Sequence, residues 1–166
     1  MNTLIAVIIL GGATLLQVTL APYIEISGVH PDLVLVLVVS WIVLRGLEEG
    51  LLWAFIAGVS LDMLSGAPFG VFTLTMLVVA WLVSLFHGRI FGSSIVLPLS
   101  LIFPLSLLFN GLALFLLAVL GRPIAWSDVF FSKLVPVAIF NTMMMMPVFP
   151  LLYLLNRLRT PKRLSF

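Results

Sequence analysis

Charged residues divide the chain into six uncharged, largely apolar runs: 1–24, 33–44, 50–61, 63–88, 90–121 and 134–156. Crossing a hydrocarbon core of about 30 Å takes roughly 20 helical residues, and four of the runs reach or exceed that length. Each of the four is predicted to be one spanning helix. Run 90–121 cannot hold two crossings and a turn, which need about 40 residues. Gly92, Ser93, Ser94 and Pro98 place its helical start late, and Pro104 predicts a kink.

The two 12-residue runs would extend only about 18 Å as helices, short of the core. Between them lies Arg45-Gly46-Leu47-Glu48-Glu49-Gly50, turn-like and too charged for the middle of a lipid-facing helix. The pattern predicts a hairpin of two short helices, Asp32 to Arg45 and Glu49 to Leu64. Its two ends share a side whether it spans or is re-entrant, so the sidedness of the remaining segments is unaffected.

Composition supports this reading. Of 166 residues 63% are apolar and 8% charged, too few polar groups to cover a water-soluble exterior, so the exterior is predicted to be lipid. The prediction is an all-α integral membrane protein of about six helices, with residues 1–156 forming one helical domain and 157–166 a basic cytoplasmic tail. The N-terminal run has no Lys or Arg before it and only a weak small-x-small end at Thr19 to Ala21, which reads as an uncleaved first span.

Six crossings put both termini on one side. That side collects Arg45, Arg89, Arg157, Arg159, Lys162 and Arg163, against Arg122 and Lys133 on the other, so the termini are expected in the cytoplasm. The four tail residues supply half of all basic groups. They read first as a topology signal and are suited to an anionic inner leaflet. Away from the tail no basic stripe interleaved with aromatics exists, which argues against nucleic acid. Cysteine is absent, which removes disulfides, thiolate metal sites and cysteine nucleophiles. His30 falls outside and His87 inside, a bilayer apart, so they cannot share a metal within one subunit.

Polar chemistry concentrates in a few places. Gly46, Gly50, Ala54, Gly58 and Asp62 recur every four residues, a small-residue face that lets helix backbones approach closely. Packing inside the bundle is favoured over docking of a partner helix. Asp62, ahead of Ser65-Gly66 at a helix C-terminus, faces the unfavourable end of the helix dipole and needs a partner. His30, Arg122, Lys133, backbone N–H groups of the following turn or another protein are candidates, and functional and turn-capping roles are equally weighted.

Asp32, after Pro31, opens its helix where a carboxylate caps free N–H groups. Asn110 and Asn141 fall mid-span and need partners inside the bundle, each other or a ligand. Met143 to Met146 points in nearly every direction and reads as flexible packing. Pro147 and Pro150 are expected to break or kink the last span. No nucleophile elbow, phosphate loop or His-x-x-x-His pattern appears, and neither a cofactor nor a metal is expected. A site of His30, Asp32 and Asp62 is a remote option. The chain reads as a binder, not an enzyme.

Two segments carry a family resemblance: Pro31-Asp32-Leu33 opening an apolar helix, and Gly58-Val59-Ser60-Leu61-Asp62-Met63-Leu64-Ser65-Gly66-Ala67-Pro68-Phe69-Gly70. The second resembles the Gly-x-x-x-Asp-x-x-Ser-Gly-x-Pro-x-Gly signature of the bacterial rod shape-determining protein MreD. The resemblance implies an inner-membrane scaffold of the elongation machinery that binds the single-span protein MreC. It would help couple cytoplasmic MreB filaments to peptidoglycan synthesis by RodA and its partner transpeptidase. It also implies a fold like that of the substrate-binding subunits of energy-coupling-factor transporters. This supplies an alternative, a small-molecule-binding transporter subunit whose outer acids and Asn141 line a pocket. Under the scaffold reading, Gly58→Leu is expected to reduce recovery of MreC.

Overall fold

The computed structural model describes residues 3–20, 29–90, 96–124 and 129–159, and six α-helices occur among them. They are α1 (Thr3–Leu20), α2 (Leu33–Arg45), α3 (Leu47–Leu64), α4 (Val71–Ile90), α5 (Val96–Val119) and α6 (Val135–Arg159). One π-helical turn, Phe130–Leu134, leads into α6.

The shortest helix occupies the centre. In α2, Val34, Leu35, Val36, Val38, Val39, Ser40, Trp41, Ile42 and Val43 are all buried, and a helix apolar around its whole circumference requires cover on every side. The other five helices supply it: α1, α3, α4, α5 and α6 all pack on α2. Around it α1 packs on α3, α3 on α4, α4 on α5 and α5 on α6, while α1 and α6 do not pack on each other among the described residues. The surround is therefore an open ring. Its 13 residues fall short of a bilayer thickness, but neighbouring helices and not lipid meet its sides.

Outward faces carry the complementary pattern. Leu15, Leu16, Phe55, Leu74, Trp81, Leu85, Phe115 and Leu151 are exposed, an apolar surface of the kind a membrane covers. Within the described residues, Pro98–Val119 and Phe130–Asn156 are long and apolar enough to cross a membrane.

The α2–α3 corner is tighter than its charge pattern predicts. A single residue, Gly46, separates the helices, at φ 88°, a left-handed conformation that glycine adopts without steric cost. Helix α3 begins at Leu47 because Glu48 and Glu49, expected in the turn, suit the positive end of its dipole. Helix α5 ends as predicted near Gly121: the N–H groups of Gly121 and Arg122 donate to the carbonyls of Ala118 and Leu117, with Gly121 at φ 87°, a Schellman closure. Of the break or kink expected at Pro147 and Pro150, the break does not occur. Helix α6 runs through both to Arg159, each proline giving up one backbone bond while the flanking turns continue the helix.

Candidate functional site

Two polar centres organise the bundle. The first lies at the start of α2, where Asp32 is buried. The sequence suggests that its carboxylate caps the helix, but it makes no capping bond. Instead Asp32 Oδ2 accepts from Asn110 Nδ2 of α5 at 2.9 Å and Asn141 Nδ2 of α6 at 3.4 Å, and Oδ1 accepts from Gln17 Nε2 of α1 at 3.3 Å. The capping is contributed by its neighbours. Asn141 Oδ1 accepts the backbone N–H of Asp32 at 2.7 Å, and Gln17 Oε1 accepts that of Val34 at 3.0 Å.

Ser106 completes the network: its hydroxyl accepts from Asn141 Nδ2 at 2.6 Å and its carbonyl from Asn110 Nδ2 at 3.1 Å. One carboxylate thus ties four helices together, and it closes the gap in the ring, since α1 and α6 meet on Asp32 without packing on each other. Each of its described partners is an uncharged amide. Asn110 and Asn141 therefore do not pair with one another as one option had it; both converge on Asp32. Gln17 and Ser106 were missed in the sequence, although Gln17 is the only amide in α1 and Ser106 lies one turn before Asn110.

A buried N–H left without an acceptor costs about 1–3 kcal/mol. Asn141→Leu orphans the Asp32 N–H and is expected to lower stability by about 2 kcal/mol, whereas Asn110→Leu, at a half-buried site that leaves no backbone group unpaired, costs about 1 kcal/mol. Thermal unfolding in mild detergent checks this order; equal or reversed losses would remove Asn141 from its helix-capping role.

The second centre joins α3 to α4. Asp62 is 4% exposed, and its carboxylate accepts the backbone N–H of Gly70 at 3.0 Å, Phe72 at 2.8 Å and Thr73 at 3.0 Å, and the Thr73 hydroxyl at 2.5 Å. Of the partners considered for it within the chain, the backbone of the following turn is the one used, joined by the Thr73 hydroxyl. The expected penalty at the C-terminus of α3 is offset, because the same carboxylate sits on the positive N-terminus of α4.

Gly58, one turn earlier on the same face, makes this reach available. A Cβ there would lie 2.4 Å from Thr73 Cα and 3.0 Å from Thr73 N. The joint closes through Gly66 and Gly70, at φ 65° and 101°, values that favour glycine. Ser65 Oγ accepts the Ala67 N–H at 3.4 Å, and the Pro68 carbonyl accepts the Val71 N–H at 3.4 Å. Each polar or special-backbone position of the Gly58 to Gly70 signature thus has a task in holding two consecutive helices.

The small-residue face of α3 is filled from within. Gly50 faces Ile42 of α2, whose Cγ1 lies 2.5 Å from a Cβ placed on the glycine; Ala54 and Ala57 are fully buried. A partner helix cannot use this face while the bundle is intact. Pro31 is buried and His30 exposed beside Asp32, and Arg122 and Lys133 are exposed near the α5–α6 connection. No group of three His, Cys, Asp or Glu side chains able to hold a metal occurs among the described residues. Arg157 and Arg159 lie on the last turn of α6, but their side chains, those of His87 and Arg89, and all of Lys162 and Arg163 lie outside the described residues.

Outside the polar centres, an open apolar hollow of about 430 Å³ lies between α3 and α4, lined by Phe55, Val59, Phe69, Gly70, Thr73, Leu74 and Leu77. Met145, buried within the methionine run, accepts the Ser40 hydroxyl at 3.2 Å and links α6 to α2, while Met143 and Met146 face outward.

Comparison with known proteins gives one finding. The family model described as rod shape-determining protein MreD matches residues 1–159, nearly the whole chain. No curated protein and no solved structure matches.

Proposed function

The chain belongs to the MreD family of rod shape-determining proteins, and from that membership we propose that it is a non-enzymatic scaffold of the cell-elongation machinery. The family match over residues 1–159 carries this reading. The scaffold sits in the bacterial inner membrane as a multi-pass protein with both termini in the cytoplasm, the side that collects six of the eight Lys and Arg residues. Its immediate partner is the single-span protein MreC, and through it MreB filaments are coupled to wall synthesis by RodA and its transpeptidase.

Two structural observations support a scaffold over a transporter subunit. The polar groups that would line a solute pocket are consumed by one another: Asp32 by Gln17, Asn110 and Asn141, and Asp62 by the α4 N-terminus. The outward apolar hollow on α3 and α4 offers a binding surface that the small-residue face does not. In lipid, helix association rests on close van der Waals fit, and side chains such as Phe55 and Leu74, both about half exposed, are available for it.

Phe55→Ala combined with Leu74→Ala is expected to lower recovery of MreC in mild detergent by about tenfold, corresponding to a loss of about 1.4 kcal/mol, with the variant's own unfolding temperature unchanged. Full recovery of MreC with this variant would exclude the hollow as the docking surface. Failure to capture MreC with the unaltered chain would remove the partner itself.

A further inference from the structure

The polar centre at the start of α2 has a property that a purely structural joint does not need. Asp32 is only 9% exposed, and no cation pairs with its carboxylate among the described residues. The side chains that meet it, Gln17 of α1, Asn110 of α5 and Asn141 of α6, are uncharged amides. His30, exposed two residues earlier on the same segment, is the one described titratable group whose charge acts on it. Described α1 and α5 carry no charged residue, and Asp62 of α3 is turned to the start of α4. Arg45, Glu48, Glu49 and the charges that close α4 and α6 lie at the opposite ends of their helices, while Arg122 and Lys133 are exposed near the α5–α6 connection.

The hydrogens around the carboxylate are arranged for its ionised form. Oδ2 accepts from Asn110 Nδ2 and Asn141 Nδ2, and Oδ1 from Gln17 Nε2, so both oxygens face donors. Burial among apolar helices works against that charge, and no countercharge offsets it. The amides of Gln17 and Asn141 cannot turn over to receive a carboxyl proton. Gln17 Oε1 accepts the Val34 N–H at 3.0 Å and Asn141 Oδ1 the Asp32 N–H at 2.7 Å, and reversing either would set an NH2 group against a backbone N–H. A proton on Oδ1 therefore displaces Gln17, the sole described donor to that oxygen. Gln17 also makes the only hydrogen bonds that join α1 to the rest of the bundle among the described residues. Helix α1 does not pack on α6, and a Cβ added at Gly11 or Gly12 would meet nothing within 4 Å, so α1 has room to move.

We propose that Asp32 is a proton-binding site that latches α1. Ionised, it holds Gln17 and closes the gap between α1 and α6. When a proton adds to Oδ1, the hydrogen bond from Gln17 Nε2 is lost and the C-terminal turns of α1 swing away from α6; loss of the proton reverses the step. Exposed His30 and half-buried Asn110 give the proton its route from the surface. The site lies apart from the α3–α4 hollow, so it stands whether or not a partner helix docks there.

The test uses the full chain in lipid nanodiscs. The sequence has no cysteine, so Val18→Cys on α1 and Ile139→Cys on α6, both at exposed positions, accept a single pair of spin labels whose separation reports the gap. From about pH 8 to about pH 5 the separation is expected to lengthen by about 2 Å or more. Infrared difference spectra of the unlabelled chain should show a protonated carboxyl band appearing over the same range. Asp32→Asn, a neutral isostere, should hold the long separation throughout and lose that band, whereas Gln17→Leu should hold the long separation and keep the band. A separation that does not change with pH in the chain with Asp32 intact overturns the proposal, and that result needs no variant at Asp32 to fold. A pH-dependent lengthening that survives Asp32→Asn overturns it equally.

Discussion

Gly58→Ala is expected to destabilise the protein by about 3 kcal/mol or more, at the upper end of overpacking costs, because the added methyl meets backbone and not a movable side chain. The three atoms nearest that methyl are Thr73 Cα, Thr73 N and the Phe72 carbonyl oxygen, all part of the first turn of α4. Relief requires α3 and α4 to separate, and no helix pair in the bundle packs more extensively. Separation also draws Asp62 away from its donors, so packing and hydrogen bonding are lost together.

Gly50→Ala is the internal comparison. Its methyl meets Ile42 first at side-chain atoms, Cγ1 and Cβ, and not at the backbone, and a smaller loss of about 1–2 kcal/mol is expected. Unfolding midpoints in mild detergent measure both, and wild-type stability in Gly58→Ala would show that α3 and α4 do not approach as closely as described. The same geometry changes the meaning of a partner-capture experiment: loss of MreC from Gly58→Leu would report a disrupted bundle and not a blocked docking face.

How far the sequence carries is clearest in the helix pair it found hardest. Run length placed a helix pair correctly at α2 and α3, because charged residues mark its ends whatever surrounds it, but only α2 is short: α3 has 18 residues, as many as α1. That α2 is central was not legible, since a fully apolar run of 13 residues reads alike whether lipid or protein surrounds it. Residue spacing along α3 found the small face, because backbone approach needs small side chains every four residues. The helices that approach are set by tertiary arrangement, which spacing does not encode. Asp32 illustrates the same limit. Its place before a helix suggested a cap from local pattern alone, while the side chains that meet its carboxylate come from positions 17, 110 and 141. Gln17 was visible as a lone amide in an apolar helix, the signal by which buried polar partners can be found.

The second large effect is expected at Asp62, and its variants separate charge from hydrogen bonding. Asp62→Ala leaves the N–H groups of Gly70, Phe72 and Thr73 without the acceptor they share. Those groups lie at the first turn of α4, which has no intrahelical partners to offer them. At about 1–3 kcal/mol for each orphaned buried donor, and with Gly70, Phe72 and Thr73 themselves only partly buried, a loss of about 3 kcal/mol is expected. Asp62→Asn retains one carbonyl oxygen and loses the negative charge at the helix N-terminus, so it should fall between, costing about 1–2 kcal/mol. Thr73→Val removes only the hydroxyl bond and should cost about 1 kcal/mol.

If the carboxylate serves this joint alone, the three variants lose stability in that order while each retains the proposed partner, MreC, in proportion to its folded fraction. A variant that unfolds at the wild-type temperature yet releases MreC would instead place Asp62 in contact with a partner, and the capping account of the signature would fail at its central residue.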